Sequence, residues 1–490
     1  MKMMQPQRRM TNNQASTSTS TSAVRLLLVI LCVAVALSID NNSSCHAFVS
    51  SSLPQLARRP MMTTSSSSST SSRMIVQSTT TSPIDNVVVA AEELGRIVTT
   101  NLIDDIPTMI TSMDIDDIAT LDSSLDTKEK QQVAPSSPPP PSLGTIMKML
   151  PPSAFEVSTS TSLLYFIIDV SAVLLCMTAL TTVIHTDLYS SLPLAGRALT
   201  VLPLQILAGF AMWCTWCIGH DAGHGTVSKD APLVNRIVGE ICHSAICLTP
   251  YVPWRLSHLK HHLNHNHLTE DYSHQWYIKE HQEGQHPAIR MAYRTRMIFL
   301  PFLYFVYLVL GIPDGGHVYF YGRMWDGTTM KERVNASLSV ITSLTTSGVL
   351  WHSMGTADFT IVCMVPWLVM SFWLFMVTYL QHHSDDGKLY TDDTFTFTNG
   401  AFETVDRNYG KYINRLSHHM MDGHVVHHLF FTKVPHYRLE AATEALQVGL
   451  RDIGQQGLYK RIDTPHYTQE IIKQFHDNWF FIKEENVVRE

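Results

Sequence analysis

The residues of this sequence with the clearest capacity for chemistry are histidines that recur in three short groups. These groups are His220 and His224, then His258, His261 and His262, and finally His424, His427 and His428. Residues three and four positions apart share one face of a helix, so each group can direct its imidazoles towards one point. Imidazole suits iron, copper, zinc and nickel, whereas magnesium and calcium prefer oxygen ligands. Eight histidines exceed what one tetrahedral zinc ion can use, so two metal ions are the simplest interpretation.

The distribution of histidine along the chain supports this interpretation. A lone histidine is more often a hydrogen-bonding or surface residue than a metal ligand. Here, however, 19 of the 25 histidines fall within residues 220–286 and 382–436, and the spacing His-x-x-His-His occurs twice. Because chance clustering does not account for the repeated spacing, the sequence predicts a metal centre built from these groups.

The three groups and the residues between them resemble the histidine boxes of membrane-bound fatty acid desaturases. Residues 253–258 (Pro-Trp-Arg-Leu-Ser-His) resemble the approach to the second box of that family. Residues 405–410, residues 427–430 and residues 434–437 resemble its C-terminal part. The resemblance covers residues 145–450 and implies a desaturase with a diiron centre, which uses O2 and two electrons from an external donor.

The resemblance also implies a set of metal ligands. His382 joins the three groups because it ends an apolar segment in a Tyr-Leu-Gln-His-His run similar to an additional ligand position of the family. The implied ligands are His220, His224, His258, His261, His262, His382, His424, His427 and His428.

Other polar residues near the boxes could orient these ligands or add to them, since the second ring nitrogen of a ligand histidine needs a partner. They are His265, His267, His418, His419, Asp221 and Asp422, with Asn264, Glu270 and Asp271 as further partners. A solvated or capping role is an equally good interpretation of each. We expect His274, His281, His286 and His436 to be interface or surface residues.

Composition indicates membrane segments set in polar flanks. Hydrophobic residues make up 45% of the 490, charged residues only 16%, and the mean hydropathy is +0.03. The net charge of −7 argues against nucleic-acid binding. The eight cysteines form no regular disulfide framework. Cys214 and Cys217 lie in an apolar run, where packing is a better interpretation than redox chemistry.

Residues 1–40 read as a signal peptide and residues 41–84 as a transit-like leader. A basic flank precedes the apolar run 26–37, which is too short to span a bilayer. Residues 41–82 then contain no acid and are rich in Ser, Thr and Arg. This arrangement resembles the bipartite leaders of algae with secondary plastids and predicts a plastid membrane. A plain secretory leader followed by a polar tract is the alternative and would place the protein in the endoplasmic reticulum membrane.

The rest of the chain divides into three parts. Residues 85–144 are acidic and proline-rich and predict a disordered linker. Residues 145–450 form the desaturase-like membrane domain, and residues 451–490 form a C-terminal tail.

Within the membrane domain, the apolar segments 161–184, 196–218, 334–351 and 359–381 are long enough to cross a bilayer. Residues 231–250 carry too many polar groups for a span and predict a helix along the interface. All boxes must reach one centre, so the chain must cross an even number of times between His262 and His424. We therefore assign the short segment 297–313, which contains prolines, to an interfacial or re-entrant position. The sequence predicts an all-α integral membrane protein with about four transmembrane helices and a helical cap that holds a di-metal centre.

The third box begins with His424, and no His-Pro-Gly-Gly haem motif occurs. By resemblance this favours a methyl-end enzyme. The His265/His267 extension and the His418–His419 pair favour an omega-3 desaturase, which acts on an acyl-lipid with electrons from ferredoxin or cytochrome b5. An omega-6 (oleate) desaturase and a hydroxylase on the same scaffold are alternatives. A histidine-rich membrane metal transporter is an alternative of another class, although its ionisable groups would lie within the spans.

Overall fold

The computed structural model describes residues 139–271, 277–278, 287, 291, 307–308, 316–384, 386–463, 481–482 and 484–489. The predicted signal peptide, the transit-like leader and the linker up to residue 138 lie outside the described residues. So do His274, His281 and His286, and all of segment 297–313 except residues 307 and 308. Their assignments stay predictions.

The described residues are mostly helical, and we number the α-helices in chain order. They are α1 (Leu143–Met147), α2 (Thr159–Ile184), α3 (Asp187–Ser191), α4 (Leu194–His224), α5 (Pro232–Gly239), α6 (Tyr251–Leu263), α7 (Met330–Phe359), α8 (Val365–Leu380), α9 (Phe397–Phe402), α10 (Lys411–Leu416), α11 (His424–Phe430) and α12 (Leu439–Asp452). Two π-helical stretches, Glu240–Ile246 and Thr360–Met364, extend α5 and connect α7 to α8.

Among the described residues, three helical stretches are long and apolar enough to cross a membrane: Thr159–Ile184, Leu194–His224 and the 51-residue stretch Met330–Leu380. The third stretch is broken at Gly355, whose φ of 78° and ψ of 165° are not helical. Only glycine adopts such a conformation without strain. The break divides the stretch into two arms, each of a length suited to one crossing.

Two contacts show that the chain reverses at this break. Ser339 in α7 donates a hydrogen bond to Glu240, and the indole nitrogen of Trp367 in α8 donates to the carbonyl of Cys247 at 2.6 Å. On a straight helix Ser339 and Trp367 would lie about 42 Å apart, yet both contact one eight-residue stretch. The two arms are therefore antiparallel, and the described residues contain four apolar arms, in agreement with the predicted all-α membrane fold.

Helix α4 is the central element of the membrane part. It packs against α2 on one side and α8 on the other. The approach to α8 is close at Gly209, where a Cβ atom would lie 2.4 Å from Cβ of Val369. Leu164 and Leu175 of α2 are 57% and 70% exposed, as expected of side chains that face lipid. Beyond Phe210, α4 is almost entirely buried and continues without a break into the first histidine box.

Within the segment 231–250, residues 232–246 are helical, but the predicted position along the interface is wrong for the second half of this helical region. The π-helical stretch Glu240–Ile246 is buried throughout and packs against α4 and α7. The acidic group at its start is neutralised locally, because Glu240 pairs with Arg236 at 2.8 Å and accepts a hydrogen bond from Ser244 at 2.6 Å. These contacts satisfy the polar groups that suggested an exposed position.

The strands are short and pair in parallel across long stretches of sequence. They are β1 (Tyr277–Ile278), β2 (Leu389–Tyr390), β3 (Val405–Asn408), β4 (Lys460–Asp463), β5 (Phe481–Ile482) and β6 (Val487–Val488). They pair as β1–β5, β2–β6 and β3–β4. Segments beyond residue 450, which the sequence analysis separated as a tail, therefore join the fold that carries the histidine boxes.

Candidate metal centre

The histidines of the boxes converge at the cap end of α4 in two adjacent groups. Five of them offer ring nitrogens within 4.8 Å of one another: His220, His224, His258, His262 and His427. Helix α4 supplies the first two, α6 the next two, and α11 the last. The closest nitrogen pair is His258 Nε2 and His262 Nε2 at 3.0 Å, and His427 Nε2 lies 3.2 Å from His262 Nε2.

The second group consists of His261, His265, His382 and His428, again within 4.8 Å of one another. His424 lies at its edge, with Nε2 at 3.2 Å from Nε2 of His382. The chain neighbours His261 and His262 fall in different groups, as do His427 and His428. This division places the two groups side by side, which is the arrangement of a two-metal centre.

The electrostatics of the cap favour neutral imidazoles. Burial, reinforced by repulsion from neighbouring histidines, lowers the pKa of His262, His427 and His428 well below the usual range. Burial likewise lowers the pKa of His424 to about 3. A neutral imidazole has a lone pair available for a metal ion, whereas an imidazolium ion does not.

The unsatisfied polar atoms of the centre fit a bound metal. Both ring nitrogens of His428 are buried without a hydrogen-bond partner among the described residues, as is Nδ1 of His265. Buried polar groups nearly always have a partner, and each exception requires an explanation. Ring nitrogens that converge from several elements without other partners fit metal ligation.

Polar residues around the second group fix the orientation of its rings. Nδ1 of His261 lies 2.7 Å from Oδ1 of Asp271, and Nε2 of His265 lies 3.0 Å from the hydroxyl of Thr404. A carboxylate that accepts from Nδ1–H leaves Nε2 of the same ring free to face a metal. Asp271 was one of several candidate partners in the sequence, and Thr404 carried no signal there.

The Val405–Asn408 strand holds the third box and His382 in place. Asp406 is completely buried and accepts hydrogen bonds from the backbone N–H of Val425 at 3.0 Å and from the hydroxyl of Tyr459 at 2.6 Å. The buried guanidinium of Arg407 donates to the carbonyl groups of Leu380 and His383, on either side of His382. Strand β3 (Val405–Asn408) therefore acts as a brace that connects α8, α11 and the C-terminal segment.

Aromatic packing supports the first group. The Trp254 ring stacks on His258 with centroids 4.5 Å apart, and Trp216 stacks on the buried ring of His243 at 3.9 Å. His243 lies against Gly219, where a Cβ atom would come within 2.3 Å of the imidazole. Gly219 immediately precedes His220, so the absence of a side chain there allows the π-helical stretch to pack against the first box.

The predicted partner residues Asp221 and His418 belong to a buried network between the cap and the membrane helices. The backbone N–H of His436 donates a hydrogen bond to Oδ2 of Asp221 at 3.0 Å. Nδ1 of the same histidine lies 2.8 Å from that oxygen. His418 lies against His436 with ring centroids 4.5 Å apart and bonds to Asp169 of α2 at 2.7 Å. The prediction that His436 is an interface or surface residue is wrong, since it is 1% exposed. Asp169 was missed, although an acidic residue in an apolar span is itself a signal.

Other predicted partners lie outside the two groups. His267 bonds to the exposed Asp392 at 3.1 Å, and His419 bonds to Asp422 at 3.1 Å. Asn264 bonds to the carbonyl of Lys260, and Glu270 pairs with Arg323 at 3.0 Å. Each side chain has a local partner that explains its position without a metal.

A mostly apolar cleft opens onto the histidines. Trp213 and Cys217 of α4 and Leu374, Val377 and Thr378 of α8 line it. Histidines of both groups, including His220, His261 and His382, line its cap-side end. Because the walls are mostly apolar and belong to membrane helices, the cleft suits a hydrocarbon chain that enters from the bilayer.

Comparison with known proteins agrees with this site. The sequence model of the fatty acid desaturase family matches residues 197–455. The chain is 28% identical over 367 residues to a Delta(12) fatty acid desaturase of Caenorhabditis elegans, covering 73% of this chain and 89% of that protein. It is 32% identical over 333 residues to the endoplasmic reticulum acyl-lipid omega-3 desaturase (cytochrome b5) of Arabidopsis thaliana, with coverage of 65% and 79%. It is 33% identical over 327 residues to the chloroplastic sn-2 acyl-lipid omega-3 desaturase (ferredoxin) of Helianthus annuus, with coverage of 65% and 69%. The residues, their geometry and these similarities agree: the chain belongs to the fatty acid desaturase family.

Proposed function

We propose that this oxidoreductase is an O2-dependent acyl-lipid omega-3 desaturase, which introduces a cis double bond near the methyl end of an unsaturated chain. The observation that carries the proposal is the pair of buried imidazole groups at the cap-side end of a mostly apolar cleft. The family assignment disfavours a metal transporter, and the position of the boxes at the ends of the apolar arms does so independently.

The proposed metal ligands are the nine histidines implied by the resemblance, together with His265. In this assignment His220, His224, His258, His262 and His427 hold one iron, and His261, His265, His382, His424 and His428 hold the other. Two iron ions held there would supply the redox chemistry by which O2 removes two hydrogens from neighbouring methylene groups. Acid–base residues alone could not do this, because those C–H bonds are not acidic.

The protein's own contribution is to position the chain and the ligands. The apolar side chains of α4 and α8 exclude water and hold the acyl chain, while Asp271, Thr404 and Asp406 orient the histidine-bearing segments. His418 and Asp221, with their partners Asp169 and His436, fix the cap against α2 and α4. We assign these residues to positioning, and His267, His419 and Asp422 to local structure.

Sequence similarity and the boxes favour the omega-3 position. Plant omega-3 desaturases match at 32–34% identity, and the His265/His267 extension and the His418–His419 pair resemble that group. The Delta(12) enzyme of Caenorhabditis elegans matches over more of the chain at 28% and keeps an omega-6 activity as the second candidate. One methylene of pocket length is worth only ~1–3 kcal/mol, so a small number of substitutions could shift the position of the double bond.

The location and the electron donor belong together in the proposal. Similar proteins include a chloroplastic enzyme named for ferredoxin and an endoplasmic reticulum enzyme named for cytochrome b5. The acid-free leader, rich in Ser, Thr and Arg, supports a plastid membrane and ferredoxin. The endoplasmic reticulum with cytochrome b5 is the alternative.

The test is expression of the full chain with an electron donor in a host supplied with oleate or linoleate. We expect linoleate-type chains to become alpha-linolenate-type chains while oleate stays mostly unchanged, as measured by gas chromatography of fatty acyl esters. Linoleate as the main product from oleate would replace the omega-3 assignment with the omega-6 assignment. A hydroxylated product would instead show that the scaffold performs oxygen transfer.

A further inference from the structure

The short helix α10 presents two parallel rows of exposed side chains. Tyr412 and Leu416, one helical turn apart, are 82% and 55% exposed. Lys411 and Arg415, also one turn apart and exposed, lie beside them. The opposite face is anchored in the protein, since Asn414 is buried and bonds to Asp422 at 2.9 Å. The helix therefore offers an apolar row and a basic row on the same outer side.

The level of α10 relative to the bilayer follows from α4. Trp213 lies 19 positions after Leu194, the first residue of α4, which corresponds to about 29 Å of helix. With the start of α4 taken as the far edge of a ~30 Å hydrocarbon core, Trp213 falls near the cap-side edge. The Trp213 indole donates to the hydroxyl of Ser417 at 3.2 Å, and Ser417 is the C-cap residue that follows α10. On this placement, α10 lies near the boundary between hydrocarbon and headgroups.

The basic row has no counter-charge within the described residues. Neither Lys411 nor Arg415 forms a side-chain hydrogen bond or an ion pair there. The nearby acids Asp422 and Glu440 are engaged with His419, at 3.1 and 3.7 Å. A helix at the membrane surface with an apolar row and an uncompensated basic row has the pattern of an interfacial segment that binds anionic lipid.

We propose that α10 is a docking surface for anionic lipid headgroups in the cap-side leaflet. Tyr412 and Leu416 enter the acyl boundary, and Lys411 and Arg415 contact the phosphate or sulfonate groups of neighbouring lipids. The apolar row at the hydrocarbon edge favours lipid over an acidic protein partner, whose surface would leave that row in water. Lipid binding at α10 would also bear on the cleft beside the metal centre. Helix α10 leads directly into the segment that carries Met420 and His424, which line the wall of that cleft.

The test uses the full chain in nanodiscs with equal amounts of phosphatidylglycerol and phosphatidylcholine. Tyr412 is replaced by the photo-cross-linking residue p-benzoylphenylalanine, and mass spectrometry identifies the lipid attached after irradiation. Two basic residues near an anionic surface predict a preference for phosphatidylglycerol of up to about thirtyfold at low salt. The preference should fall sharply in 0.5 M NaCl because screening shortens the reach of these charges.

Matched variants separate the specific surface from general charge. Lys411→Gln with Arg415→Gln should bring the adduct ratio close to one. Lys148→Gln with Arg451→Gln removes two exposed cations from other cap helices and should leave the ratio unchanged. Equal adducts with both lipids in the parent protein, or no lipid adduct at all, would overturn the proposal. The readout needs no desaturation, so it is independent of the proposed substrate.

Discussion

At the residue level, neighbouring histidines have different roles that spacing alone does not reveal. His265 and His267 both follow the second box, but only His265 joins a group of converging imidazoles. His267 instead bonds to Asp392 and accepts hydrogen bonds from the backbone N–H groups of Thr269 and Glu270. The difference arises in the turn after α6, where Asn266 adopts a left-handed conformation with φ 59° and redirects the chain.

The ligand assignment predicts a loss of metal at specific positions. His261→Ala and His265→Ala should each reduce bound iron from the two ions proposed here and abolish or strongly reduce desaturation. His267→Ala should retain both, because its side chain lies outside the two groups. The measurement is iron per chain by mass spectrometry of membrane-inserted, purified protein. Full iron content in His265→Ala would remove that residue from the ligand set.

The carboxylate behind His261 allows a comparison of two equivalent substitutions. Asp271→Asn removes the charge that orients His261 at 2.7 Å, and such outer partners typically contribute ~10–100-fold to metal affinity or activity. Asp422→Asn makes the same change beside His419, which lies outside both groups. We expect weaker iron retention during chelator titration for Asp271→Asn only. Equal behaviour of the two variants would argue against an orienting role for Asp271.

At the level of elements, close helix packing sets the position of the boxes. Helix α4 carries His220 and His224 from the membrane into the cap without interruption, so its packing also fixes the first group. The antiparallel arms of α7 and α8 return the chain to the same side and place His382 opposite α6. The π-helical stretch Glu240–Ile246, which follows α5, packs against α4 and α7, and this local geometry is often found near functional sites.

Two glycines in apolar helices provide a matched test of this packing. Gly219→Ala would place a methyl group 2.3 Å from the His243 ring, so His243 and the Trp216 stack must move beside His220. Gly348→Ala meets nothing within 4 Å and should be neutral or slightly stabilising. We expect lower thermal stability and lower iron content for Gly219→Ala only. Unchanged iron in both variants would contradict the dependence of the first group on this contact.

At the level of the whole molecule, distant parts of the chain combine to form one catalytic unit. Strand β4, in the segment first separated as a tail, pairs with β3, and Tyr459 beside it bonds to Asp406. The brace on the third box therefore depends on residues beyond 450. The leader stands apart from this unit in the sequence and is proposed to determine the membrane to which the enzyme is delivered.

The leader makes a prediction of its own. Residues 1–84 fused to a fluorescent protein should reach the plastid in an alga with a secondary plastid, because the apolar run opens the secretory route and the following segment directs import. Removal of residues 41–84 should leave the reporter in the endomembrane system, as seen by microscopy. Retention of the complete leader in the endoplasmic reticulum would favour cytochrome b5 as donor.

Local sequence patterns were sufficient to predict much of the fold and the metal centre of this protein. The spacing of His220, His258 and His424 with their neighbours indicated a metal centre, since helical periodicity is a local property. Apolar length predicted four arms, and α2 and α4 begin and end within a few residues of the predicted spans, apart from the extension of α4 through the first box. The resemblance to desaturases rested on the same local motifs.

The tertiary structure alone decided how these parts meet. The sequence could not show that His261 and His262 belong to different groups, or that His427 and His428 do. The assignment to a group depends on the relative rotation of α6 and α11. It also could not pair Asp169 with His418 or Asp406 with Tyr459, whose partners lie 249 and 53 positions away. A buried carboxylate and a surface one look alike in sequence. Only packing removes one of them from water, and burial makes a hydrogen-bond partner necessary.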